Sequence, residues 1–287
     1  MRVIAVTSGK GGVGKTNLSA SLGIALSQSG HRVVLFDADL GLANLDVVLG
    51  VSAEYSLHHA LDGNMCLAEA IANGPGGVRF LSGGAGIAKL INISRKRLQS
   101  FLLELVQLEN STDVLIFDTG AGVDQRVLTF LKASDEVILV VTPDPASVTD
   151  AYATIKVLLR NDPGANIQVL MNQVASEKQG EALFEKLNHI AGHFLNASLS
   201  YLGCVRDDDD IVPYVRQRQP FIIGDPNLRA SRDVRKVAEE VADRINRFGI
   251  HKNLRERLEI AFGLHQPPPL VEPQVPEVPG TPEAEAA

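Results

Sequence analysis

Between Gly9 and Thr16 the chain reads GKGGVGKT, which satisfies the spacing GxxxxGK[ST]. A β-branched run, Val3 to Thr7, precedes it, and Leu18, Leu22, Ala25 and Leu26 follow at helical spacing. The pattern therefore sits at a strand-to-helix junction, where each residue type serves phosphate chemistry. Gly9, Gly11, Gly12 and Gly14, with Val13 among them, let backbone N–H groups turn inward on a phosphate, and the helix N-terminus at Thr16 and Asn17 adds partial positive charge. Lys15 reaches β- and γ-phosphates, and Thr16 offers its hydroxyl to Mg²⁺. Lys10 is a second lysine in the loop, for which an ordinary phosphate loop has no need.

Carboxylates stand at the ends of two further apolar runs. HRVVLF (His31 to Phe36) ends at Asp37, and VLIF (Val114 to Phe117) ends at Asp118. A hydrophobic strand that ends in a carboxylate suits an acid facing Mg²⁺. Asp37 and Asp39, at spacing two, either put one acid near the metal's water shell and the other near an attacking water, or make turn hydrogen bonds at a polar strand end. The small residues Thr119, Gly120, Ala121 and Gly122 suit a loop that moves when a phosphate leaves.

These residues need a frame that gathers strand ends. VILVV (Val137 to Val141) and IQVLM (Ile167 to Met171) repeat the apolar run, and helical stretches separate the runs. Apolar strands without alternation, joined through helices, predict an α/β fold: a doubly wound, mostly parallel sheet of P-loop NTPase type with helices on both faces. Ligands of such sheets collect at the carboxyl ends of the strands, where the loop and the acids lie.

KGGVGKT with its early lysine resembles the deviant Walker A motif of the MinD/ParA class of ATPases. The resemblance implies Mg²⁺-dependent ATP hydrolysis by an ATP-sandwich homodimer, with Lys10, Lys15 and Asp39 catalytic and Lys10 contacting the partner's phosphate in trans. It implies Thr16, Asp37 and Asp118 as the Mg²⁺-side residues, Asp39 as the positioner of the attacking water, and Thr119 to Gly122 as a γ-phosphate switch. Asn172 matches an asparagine of the class that contacts adenine; helix capping is its other reading. The guanine pattern NKxD is absent, which favours ATP over GTP. Gly203 to Asp208 (GCVRDD) is similar to the adenine-side loop and brings Arg206 and Asp208 to the base, although Arg206 stands where many members have proline.

DADLGLANLDVVLG (Asp37 to Gly50), DTGAGV (Asp118 to Val123) and TPDPASVTDAYATIKVL (Thr142 to Leu158) resemble the FlhG group, also called FleN or YlxH. That resemblance implies control of flagellar number or position, with the flagellar GTPase FlhF and C-ring or regulatory proteins as partners. A MinD-like division-site or ParA-like DNA-partition ATPase is the alternative, because the class serves many cargoes.

The composition narrows the field further. The 287 residues are 45% hydrophobic and 21% charged, which supports one sizeable core. A net charge of −7 argues against DNA binding through overall charge, although Arg216, Arg218, Arg229, Arg232, Arg235 and Lys236 form a local basic set. Cys66 and Cys204 make neither a CxxC nor a cluster, which argues against an iron-sulfur carrier and for a reducing cytoplasm. The start MRVIAVTSGK lacks the apolar core of a signal peptide. The reading is an ATPase domain over 1–247, a short amphipathic segment over 248–265 and a disordered Pro/Glu-rich tail over 266–287. Ile250, Leu254, Leu258, Ala261, Phe262 and Leu264 make an apolar stripe, with Lys252, Arg255 and Arg257 nearby. The stretch Ile250 to Leu264 either binds membrane reversibly or packs on the domain or a partner.

Overall fold

Strands built from unbroken aliphatic runs must be covered on both faces, and the chain meets that demand with helices on either side of one sheet. The computed structural model describes residues 1–39, 44–83, 93–248 and 254–264. Its strands are β1 (Arg2–Ser8), β2 (Val33–Ala38), β3 (Ala72–Asn73), β4 (Arg79–Leu81), β5 (Val114–Ala121), β6 (Glu136–Val141), β7 (Ile167–Val174) and β8 (Ser200–Arg206). Their spatial order is β3-β4-β2-β5-β1-β6-β7-β8. Every pairing is parallel except β3 with β4. The doubly wound α/β architecture read from the sequence is the one found.

Alternate residues of each strand serve opposite layers. Val3 and Ala5 of β1, Phe36 of β2 and Phe117 of β5 join a core with the helices Arg95–Gln107, Gln125–Ala133 and Pro145–Asn161. Ile4, Val6, Leu35 and Ile116 join a second core with the helices Lys15–Gln28 and Arg229–Phe248. Phe117 meets Phe36 and Phe130 edge-on, with ring centroids 5.4 and 5.1 Å apart. Each such pair contributes about 0.5–1.5 kcal/mol beyond its burial.

The helix Leu254–Ala261 packs on the domain. Its Leu254 and Leu258 are buried in the first core, and Phe262 lies edge-on to Phe130 at 5.9 Å. Arg257 is itself buried and donates to the Ala133 carbonyl (2.9 Å) and to Asp135 Oδ2 (3.1 Å). Arg95 donates to the Leu264 carbonyl at 2.9 Å. Of the two readings of this stretch, packing on the domain is the one seen; Ile250, Lys252 and the tail over 266–287 lie outside the described residues.

Leu258 has no exposed surface. Leu258→Ala should therefore cost about 2–4 kcal/mol in denaturant unfolding. A loss below about 0.5 kcal/mol would mean that the helix undocks before the domain unfolds.

Candidate functional site

The sheet order sets β1 between β5 and β6, and β5 between β1 and β2. The phosphate loop at the end of β1 therefore lies beside the acids that β2 and β5 deliver. Gly12 (φ 78°) and Gly14 (φ 90°) take up left-handed backbone, which residues with a Cβ rarely adopt, and Gly14 caps the helix Lys15–Gln28. Gly9 is required for a different reason: a Cβ there would lie 2.3 Å from the backbone carbonyl of Asp150. Ser8 Oγ donates to the Lys10 carbonyl at 2.6 Å, and Asn172 Nδ2 donates to the Val13 carbonyl at 2.8 Å. The loop is thus braced from both sides.

Lys15 is buried, and desolvation lowers its pKa against the pull of Asp118 and Asp39. Asp37 and Asp118 are register partners across β2 and β5, and each is 1% exposed. Burial first, and then Asp118, pushes Asp37 up to about 7. Burial pushes Asp118 to about 6 despite hydrogen bonds from Ser19 and Thr16 and the charge of Lys15. Asp37 accepts from the backbone N–H groups of Asp39 and Leu45, both at 3.2 Å. Asp39 lies over Gly120, where a Cβ would come 3.2 Å from Asp39 Oδ1. Thr16 and Asn17 are half-buried on the first turn of the helix, and Gly11 is exposed at the loop tip. Two buried carboxyls side by side are short of positive charge, and an all-oxygen set with a threonine hydroxyl beside it fits a hard divalent cation such as Mg²⁺.

Several expected residues stand differently from their simplest reading. Thr119, Gly120 and Ala121 continue β5 as strand; only Gly122 leaves it, with φ 92° and its N–H on the Ser8 carbonyl at 2.9 Å. Thr119 Oγ1 donates to the Val6 carbonyl at 3.0 Å. Lys10 Nζ pairs within the same chain with Asp144, the N-cap of the helix Pro145–Asn161, and this bond holds the Asp144 carboxyl below its ordinary pKa. The Arg206 guanidinium grips Asp233 through two bonds of 2.8 and 2.7 Å. The Asp208 carboxylate accepts from the N–H groups of Asp210 (3.2 Å) and Ala230 (3.0 Å). Both side chains are committed to structure, because the loop that carries them must be tied to the helix Arg229–Phe248. Residues 40–43, inside the second signature, lie outside the described residues.

Sequence reasoning passed over two partners. Asp144 was legible as an Asp-Pro helix start but not as the partner of Lys10. Ser19 lies one turn beyond Thr16, with no local signal that its hydroxyl reaches Asp118, 99 residues away.

The buried acids predict a pH effect. Folded pKa values of about 7 and about 6, against an ordinary 3.8, mean that the folded state without metal or nucleotide holds extra protons between those limits. Stability from this source is present at low pH and is lost as pH rises through that window. Asp37→Asn relieves the buried charge at the expense of one acceptor, a net gain on the order of 2 kcal/mol at pH 8. The nucleotide-free variant should melt roughly 5 °C above wild type at pH 8, with the gap closing near pH 5. An unchanged or lower Tm at pH 8 would contradict the burial argument.

Comparison with known proteins identifies the family of the chain. A family model described as ParA, NUBPL iron-transfer P-loop NTPase, matches residues 1–242. The antiactivator FleN of Pseudomonas aeruginosa is 39% identical over 241 residues, covering 84% of this chain and 86% of that protein. The flagellum site-determining protein YlxH of Helicobacter pylori is 38% identical over 238 residues, covering 83% and 80%. The septum site-determining protein MinD of Pyrococcus horikoshii, solved in complex with Mg-ADP, superposes with a TM-score of 0.70 at 28% identity, covering 88% of this chain and 99% of that one. Shared across nearly all of the sheet and its phosphate loop, these likenesses make the chain a member of the MinD/ParA family of P-loop NTPases, with FleN and YlxH among its relatives.

Proposed function

We propose that this chain is a Mg²⁺-dependent ATPase that works as a dimerisation switch and regulates flagellar number or placement. The observation that carries the chemistry is the convergence of Lys15, Asp37, Asp39 and Asp118 at the carboxyl ends of three adjacent strands. The flagellar reading rests on the names of FleN and YlxH, at 39% and 38% identity.

In this reading the N–H groups of Gly11 to Thr16 hold the β-phosphate, and Lys15 spans the β- and γ-phosphates. Burial lowers the pKa of Lys15, and a charge in such partly desolvated surroundings is screened less than one in water. Thr16, Asp37 and Asp118 hold Mg²⁺, directly or through water, and the ion supplies charge neutralisation and orientation of the phosphates. Asp39 accepts a hydrogen bond from the attacking water and aligns it with the γ-phosphorus. A Cβ at Gly120 would come 3.2 Å from Asp39 Oδ1, which supports the need for a small residue at this point of the switch. Lys10 leaves Asp144 and contacts phosphate of the nucleotide held by a second copy. Asn172 contacts adenine while keeping its bond to Val13. Arg206 and Asp208 approach the base through their backbone, since their side chains are engaged elsewhere.

Hydrolysis here serves timing: ATP assembles the dimer, and the loss of the γ-phosphate releases it. FlhF and C-ring or regulatory proteins are the proposed readers of the dimer. Reversible membrane binding through Ile250 to Leu264 belongs to the same proposal. It requires the helix Leu254–Ala261 to leave the core, because Leu254 and Leu258 are buried there.

Sedimentation of wild type and Asp39→Ala with ADP, and with ATP plus Mg²⁺, tests the switch. Asp39→Ala should lose at least about 100-fold in turnover and persist as a dimer in ATP. A variant that stays monomeric in ATP would overturn the sandwich dimer and the trans role of Lys10. A dimer that ignores added acidic liposomes would remove only the membrane claim.

A further inference from the structure

Ser19 is a polar residue with no exposed surface, in a helix whose neighbours Leu18, Ala20 and Leu22 belong to the core. A serine in the middle of a helix ordinarily turns its hydroxyl back to the carbonyl four residues earlier. Ser19 Oγ instead crosses to β5 and donates to Asp118 Oδ1 at 2.7 Å. Thr16 stands three residues earlier on the same face of the helix, with its side chain near enough to Asp118 to lower that carboxyl's pKa. Two hydroxyls of a single helical turn therefore approach one carboxylate, and Ser19 holds it at hydrogen-bond distance.

We propose that Ser19 is a positioning residue which fixes the rotation of the Asp118 carboxylate toward the Mg²⁺ site, so that Thr16 is free to serve the metal. The inference rests on the reading of Thr16 and Asp118 as Mg²⁺-side residues. A carboxylate turns about its own Cβ–Cγ bond with little resistance, and a hydrogen bond from a rigid helix to one of its oxygens holds its plane. Once the Thr16 oxygen is drawn to the cation, the Ser19 hydroxyl is the donor on this helix that keeps that plane. Its position is set by the phosphate loop itself, because Ser19 follows Lys15 by one turn. Loop, helix and acid thereby share one alignment. A serine present only to satisfy the core would give the same burial, but it would not affect how strongly the protein holds Mg²⁺.

The experiment measures binding rather than turnover. A fluorescent, non-hydrolysable ATP analogue is titrated onto the full chain in EDTA and then against rising Mg²⁺, for wild type, Ser19→Ala and Ser19→Thr. Supporting donors beside metal ligands are worth about 10–100-fold in metal affinity. Ser19→Ala should raise the Mg²⁺ concentration at half-maximal enhancement by about 10-fold, leave analogue affinity in EDTA unchanged, and be rescued by Ser19→Thr to within about threefold of wild type. If Ser19→Ala does not fold, Ser19→Cys keeps the volume, weakens the donor and should shift the same midpoint in the same direction. A midpoint within about twofold of wild type in the folded alanine or cysteine variant overturns the role of Ser19 alone. Absence of any Mg²⁺ effect on the wild type overturns the Mg²⁺ reading of the site, and this inference with it.

Discussion

The rest of the structure is arranged around an unfavourable juxtaposition: Asp37 and Asp118 face each other across β2 and β5 with almost no water. Burying like charges together is costly, and the cost shows in two carboxyls held far above their ordinary pKa. Such an arrangement persists only where the surrounding core over-determines it. The sheet supplies that margin, since β2, β5 and β1 are covered on both faces by aliphatic and aromatic side chains. The cost has a chemical use, because a carboxylate pair short of positive charge suits a divalent cation, which would relieve it.

Two kinds of hydrogen bond hold that frame in register with the phosphate loop. One kind comes from backbone: Asp39 and Leu45 donate to Asp37, and Gly122 donates to Ser8. The other comes from side chains distant in sequence, such as Asn172 on Val13 and Ser19 on Asp118. The first kind follows from the course of the chain. The second depends on tertiary placement and ties loop, helix and strand into one unit.

That division also explains what the sequence disclosed. GKGGVGKT, the apolar strands and the acids at their ends are local patterns with fixed spacing, so both the sheet and the core of the site could be read from them. The Lys10–Asp144 pair spans 134 residues and Ser19–Asp118 spans 99, and no periodicity encodes such partners. Arg206 and Asp208 sit in a loop that resembles a base-binding segment, yet Asp233 and Ala230, more than 20 residues on, claim their side chains. The stretch from Leu254 to Leu264 was ambiguous for a plain reason: an apolar stripe is the same stripe whether it meets lipid or a core. Tertiary contacts with Phe130, Ala133 and Asp135 decide its place here.

The close approach at Gly9 has a mechanical corollary. Because the loop backbone rests against the backbone of Asp150, with no room even for a methyl group between them, the two cannot shift independently. Asp150 belongs to a helix of 17 residues, about 25 Å long. The helix Pro145–Asn161 is therefore seated on the loop through its N-terminal third, and any side chain at position 9 would force the two apart.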